Sequence, residues 1–180
     1  MSYTQAEKIQ MLLLCDIHEA LGIKNSYDAS LIRYAVETEN QWAINWEYDS
    51  MSSNEETPEH VKHVCDVLEM YDMLQFTYDH LTPEDQQQLA NDVPYFDPNH
   101  SVTFPGFDGN NEGRLMSVAN MLVKMGRFKR QDITKNSHCP TYESSERMLA
   151  VYLPARPNFQ HQRGITYDAL RDTLKAKFHP

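Results

Sequence analysis

Residues 102–114, VTFPGFDGNNEGR, gather three of the chain's six glycines around Asp108, Glu112 and Arg114. Two carboxylates at i and i+4 can share a helix face, where they could hold a metal or divide the work of general acid and base. Backbone amides at a helix start could instead bind an anion. The same residues also have an architectural reading: Asp108 as N-cap of the next helix, Glu112 favoured by the positive end of its dipole, Gly106 and Gly109 in turns, Phe107 in the core. That reading accounts for more of the residues at less cost.

A second group lies just beyond. Lys124, Arg127, Lys129, Arg130 and Lys135 place five cations within twelve residues, with Phe128 among them and Asp132 opposed. Such a stretch suits phosphate contacts with one stacking ring, or a solvated loop paired with acids elsewhere in the chain. In NSHCP, His138 follows Asn136 and precedes Cys139. A Cys–His dyad must meet in space rather than in sequence, so a structural histidine and a small buried Cys139 are the simpler reading. His60 and His63, one helical turn apart near Glu56 and Glu59, could form a surface metal site, but they lack the i, i+4 histidines of the zinc hydrolases. No P-loop, dinucleotide fingerprint or G-x-S-x-G is present, and no cofactor or resident metal is expected. Glu69 sits in an apolar helix, where an inward carboxylate needs a partner. Arg147 is the candidate, as a structural ion pair joining the two halves.

These residues need helices to position them. TQAE at Thr4 is a capping box, and Ile9, Leu12, Leu13, Ile17, Ala20 and Leu21 follow as a one-face stripe ended by Gly22. A second helix starts near Asp28 and runs towards Trp42 and Trp46. Residues 47–57 read as a polar connector. Thr57 and Pro58 then start a helix extending to Leu81, with two apolar stripes and hence burial on two sides. Thr82 starts a short helix to about Ala90, and the prolines of NDVPYFDPNH break it. SVTF is β-prone. Helical spacing resumes through Leu115, Val118, Leu122 and Val123 up to Gly126, again from Thr141 to Tyr152, and last after Thr166, with Ile165 and Leu170 spaced for a hydrophobic staple.

The balance of charge is uneven. Residues 1–100 carry 4 Lys and Arg against 19 Asp and Glu, a net of −15, and residues 101–180 carry 12 against 7, a net of +5. The simplest expectation is that the halves neutralise each other within the fold; subunit pairing or an anionic partner are the others. Three cysteines with no C-x-x-C argue for free thiols and a reducing, cytoplasmic setting. No apolar run approaches a membrane span.

Three stretches together, VCDVLEMYDML, VTFPGFDGNNEGR with GRF beyond it, and ERMLAVY, resemble the YfbU-like family of small bacterial cytoplasmic proteins, from about Thr4 to Tyr152. The recognisable parts are Asp66, Glu69, Met70 and Tyr71; Gly106, Phe107 and Asp108; and Arg147, Met148 and Leu149. The resemblance implies a multihelical fold and self-association, and no established activity. Some relatives are joined to a small DNA-binding module, which points to regulation. The tail after Arg156 looks less like the family.

The expected architecture is all-α: a multihelical bundle of about six to eight helices around a long central one, with a short extended piece before Gly106. Residues 1–98 would form an acidic helical subdomain and 99–180 a basic one packed on it, together making one compact unit over about 4–152 with a C-terminal helix added. The favoured function is a non-enzymatic binding or regulatory homo-oligomer, with Asp108, Glu112, Arg127, Lys129, Arg130, Asn136, His138 and Arg147 at its surface of interest. A protein partner is allowed, nucleic acid is allowed but not favoured, and no membrane is involved. The alternative is a small hydrolase-like or metal-dependent enzyme centred on Asp108, Glu112 and His138. A concave pocket uniting those three would favour the enzyme; a convex basic strip with His138 apart would favour binding.

Overall fold

The first helix begins where Thr4 and Glu7 reach each other's backbone: the Thr4 amide donates to the Glu7 carboxylate at 2.7 Å and the Glu7 amide to the Thr4 hydroxyl at 3.3 Å. This capping box opens α1 (Gln5–Leu21), and Gly22, left-handed at φ 60°, closes it. The computed structural model describes residues 3–48 and 56–178. Most of the connector expected over 47–57 lies outside the described residues.

Asp28 caps α2 (Ala29–Glu37) by accepting from the Leu31 amide. The second helix does not continue to Trp46: Glu39 turns left-handed at φ 58°, and α3 (Trp42–Glu47) is separate. The central helix α4 (Glu59–Asp79) starts one residue later than expected, because the Thr57 hydroxyl accepts from the Trp46 indole at 3.3 Å instead of capping. Thr82 caps α5 (Pro83–Asp92). Three more helices follow, α6 (Gly113–Lys124), α7 (Tyr142–Ala155) and α8 (Tyr167–Lys175, capped by Thr166). Pro154 sits inside the last turn of α7, which runs past the expected limit of Tyr152, and a 3-10 turn over Arg156–Asn158 follows.

Among the described residues the architecture is eight α-helices and no strand. SVTF is loop, and the one ladder-like contact nearby is an isolated bridge between Phe107 and Asn136. Helix α4 is the spine, as its two stripes require: it packs on α6, α7 and α8. Val61, Val64, Val67, Leu68, Met70 and Leu74 are fully buried along it. The core is continuous between the halves, joining Leu31 and Trp42 to Phe104, Met121, Met148 and Leu174.

The stripe of α1 has the expected period, but most of it faces out. Helix α1 packs mainly on α2, and Cys15 is its one buried residue. The α2 side is a narrow strip of Met11, Leu12 and Cys15, edged by Lys8–Glu39 at 2.7 Å and by Arg33 bonded to Asp16 at 2.7 Å and Glu19 at 3.2 Å. Ile9, Leu13, Leu14, Ile17 and Leu21 are exposed. No described helix is long and apolar enough to cross a membrane.

The three thiols are free and differ in access. Burial pushes the Cys65 thiol up to about 11, and the buried Cys15 is also raised, while Cys139 is exposed rather than the buried residue expected. A maleimide at neutral pH should therefore add a single label, at Cys139, with further labels only in denaturant; mass spectrometry of the native and unfolded protein reads this directly.

Candidate functional site

The segment 104–112 is held by the loop 131–141, not by the helix that follows it. Gly106 sits at φ 103°, and a Cβ there would lie 2.3 Å from the Lys135 carbonyl oxygen. Phe107 is buried edge-on against Phe104, and its carbonyl accepts from the Ser137 amide at 3.2 Å. Asn136 joins the two loops: its side-chain oxygen accepts from the Gly109 amide at 3.1 Å and from the His138 amide at 2.9 Å.

Asp108 does not cap α6. Its carboxylate accepts from the Asn110 amide at 3.0 Å and from the Asn111 side chain, an Asx turn closed on its own loop. Those two bonds, the Asn111 one foremost, hold its carboxyl below the usual aspartate range against the opposing effect of burial.

Glu112 is the N-cap residue of α6 by position, yet its side chain makes no cap bond to that helix. It turns instead to the start of α7. One oxygen accepts from the Thr141 and Tyr142 amides, both at 2.6 Å. The other accepts from the Thr141 hydroxyl at 2.8 Å and from the Asp108 amide at 2.9 Å. Burial pushes this carboxyl up, but the hydrogen bonds together outweigh it and leave the group below the ordinary glutamate value. A buried carboxylate at a helix N-terminus also meets the positive end of its dipole. Glu112 thus ties together two loops and one helix start, and both its oxygens are committed.

His138 is exposed, in a left-handed turn at φ 55°. Its charge favours ionised Asp108, but it forms no hydrogen bond to that carboxylate. Asp108, Glu112, Asn136 and His138 are therefore brought to one corner of the molecule, three of them engaged in holding loops. Among the described residues no group of three or more His, Cys, Asp or Glu is placed to hold a metal. His63 bonds Glu146 of α7 at 2.7 Å and stacks on Tyr142, whereas His60 lines a cleft elsewhere.

The expected Glu69–Arg147 pair is not formed. Arg147 donates to the carbonyls of Ala176 at 3.2 Å and Lys177 at 2.9 Å, closing the C-terminal end of α8. Glu69 lies at the rim of α4, not inside, and shares Arg156 with Asp66, both at 3.2 Å. Asp66 and Glu69 are one turn apart, so a single guanidinium at the end of α7 reaches both.

At the basic segment the two halves form no ion pair among the described residues, though the charge of Arg130 favours ionised Asp72 on α4. Lys124, Arg127, Lys129, Arg130 and Lys135 are all exposed, and among the described residues none is in an ion pair. Lys124 donates to the Ser30 hydroxyl at 2.7 Å, and the Arg127 guanidinium lies 5.1 Å from the centre of the Trp46 ring. Ile133 is buried and anchors the loop, and Gln131 bonds Asp72 on α4 at 2.7 Å. Phe128 packs against the core and is only partly available for stacking.

The sequence reading missed a cleft of about 1030 Å³ between the start of α1, the α2–α3 turn and the starts of α4 and α6. Lys8, Asn45, Trp46, His60, Arg114 and Ser117 are among its walls, and none of Asp108, Glu112 and His138 is. Asn40 supports it from below: it accepts from the Trp42 indole at 2.9 Å and donates to the Thr38 and Ser117 hydroxyls, both at 2.9 Å. Burial, with Arg114 nearby, holds His60 below the usual histidine range. The sequence signal was the polar pair Asn40 and Asn45 among tryptophans, which periodicity does not weigh.

The YfbU domain family matches residues 1–176, well past the Tyr152 limit of the motifs. No curated protein and no solved structure matches the chain.

Proposed function

We propose that this protein, which belongs to the YfbU family, is a non-enzymatic binding protein of the bacterial cytoplasm that acts as a homo-oligomer and offers the segment 124–135 to a phosphate-bearing ligand. The observation that carries this is a set of five exposed cations that form no ion pair among the described residues, Lys124 at the end of α6 and the other four on the loop that Ile133 and Gln131 fix to the core. A loop already anchored to the core loses little backbone entropy on binding, and a cation outside an ion pair gives up none. The enzyme alternative gains no support from the geometry, because Asp108 and Glu112 spend their oxygens on loop and helix amides.

Binding of short labelled RNA and DNA across a salt series tests the proposal. Affinity should fall steeply with salt, with a slope on a double-logarithmic plot of about −0.7 per phosphate contacted on a single strand. The Lys129→Glu/Arg130→Glu variant should flatten that slope by about 1 to 2 and weaken binding about 10-fold or more at low salt. Equal binding by both proteins, or none at low salt, would remove the basic segment from the function.

A further inference from the structure

We infer that the outer face of α1 is the surface on which two copies of this chain associate, pairing α1 with α1 of a second copy in antiparallel fashion; this extends the homo-oligomer of the proposed function by naming its interface. The face lies opposite α2. It carries Ala6, Ile9, Leu13, Leu14, Ile17, Ala20 and Leu21, with Gln10 the one polar residue among them.

Its five large side chains are between 48% and 70% exposed. At roughly 200 Å² for a fully exposed side chain of that size, they present roughly 600 Å², the upper end for the largest apolar patch on a soluble monomer. That is about three quarters of the ~800 Å² that one partner contributes to a standard interface, and Ala6, Gln10, Ala20 and Ile23 border it to supply the rest. A helix apolar on both sides is a helix meant to be covered on both sides. Among the described residues, only the α2 side is.

The pattern also suits a copy of itself. Ile9, Leu13, Ile17 and Leu21 recur every four residues as Ile, Leu, Ile, Leu. Turned antiparallel about the level of residue 15, the row sets Leu13 against Ile17 of the second copy and Ile9 against its Leu21, so each contact joins one Ile to one Leu. The two-fold makes every contact occur twice, as an isologous interface requires. The same turn brings Lys24, just past one end, towards the first turn of the second copy, which carries Glu7. Small Ala6 and Ala20 near the ends leave room for close approach.

Light scattering during size exclusion, over a concentration series, tests the inference. The native protein should run as a dimer. Leu13→Glu/Ile17→Glu and Leu13→Lys/Ile17→Lys should each run as monomers with unchanged helical circular dichroism, their dissociation constants raised at least ~100-fold. Mixed in equal amounts, the two variants should recover a dimer through opposite charges, which a misfolded variant could not do. A native monomer at high concentration, or variants that associate as the native chain does, would overturn the inference. The salt-dependent nucleic-acid titration, repeated on the monomeric variants, reads the basic segment independently, so either idea can fail without the other.

Discussion

Replacing Glu112 with alanine is expected to destabilise the fold by about 3 kcal/mol, since each hydrogen bond to a charged group contributes about 1.5–3 kcal/mol and water entering the space recovers part of the loss. For a chain of this size that lowers the thermal midpoint by about 6–12 °C. The reason is the number of donors that share this carboxylate: the amides of Asp108, Thr141 and Tyr142 and the Thr141 hydroxyl. They belong to a loop and to a helix start 29 and more residues away in sequence, so their loss loosens tertiary contact rather than one turn of helix. Glu112→Gln should rescue little, because one oxygen becomes an NH2 group facing N–H and O–H donors.

The pH dependence has a definite sign. The folded-state value of Glu112 is depressed below the unfolded one, so its contribution is full above the ordinary glutamate range and is lost as pH falls through the depressed value. The stability gap between the native protein and Glu112→Gln, from denaturant midpoints, should therefore be widest at pH 7 and narrow steadily as pH falls below the ordinary glutamate range near 4.3. A gap that is constant with pH would mean that Glu112 acts through shape alone.

Gly106→Ala is expected to cost more, about 3–5 kcal/mol, and to yield little soluble protein. Two penalties add. The backbone at φ 103° lies where only glycine is comfortable, which costs about 1–3 kcal/mol for another residue. The new methyl would also lie 2.3 Å from a backbone oxygen, that of Lys135, which cannot turn aside as a side chain can. Gly22→Ala is the control. Gly22 is also left-handed at φ 60°, but nothing lies within 4 Å of its Cβ position, so its cost should be about 1–2 kcal/mol. Equal urea midpoints for the two variants would show that the approach of Gly106 to residue 135 carries no weight. If the approach matters, Gly106→Ala should also loosen the Asn136 clasp, and with it the basic loop that ends at Lys135.

Much of the fold was legible in the sequence because it is decided within one turn of chain. Thr4, Thr82 and Thr166 cap the helices they were expected to start, and Asp28 caps the helix expected to begin near it, since a cap is a bond between residues three apart. The two stripes of α4 required burial on both sides, and α6, α7 and α8 provide it. The architectural reading of GFDGNNEGR also held in kind, for its residues do hold loops and helix starts. It did not hold in detail. Asp108 caps no helix, and Glu112 serves α7 instead of α6.

The remaining features depend on which elements meet. Arg147 and Glu69 each found partners other than one another, because helix rotation decides whether a charge faces core or rim, and sequence spacing fixes rotation only relative to the same helix. The charge asymmetry of the two halves was plain, yet whether the cations of 124–135 would be paired depended on what lay beside them. The period of α1 named a face but not its cover; α2 took the narrow side and left the broad one to solvent. The cleft at Arg114 and Trp46 is made by four elements far apart in the chain. Sequence thus determined the helices, their starts and their apolar faces, which are local properties of the backbone and its nearest side chains. Tertiary structure decided the partners, because a partner is chosen by distance in space, and only the packed core sets that distance.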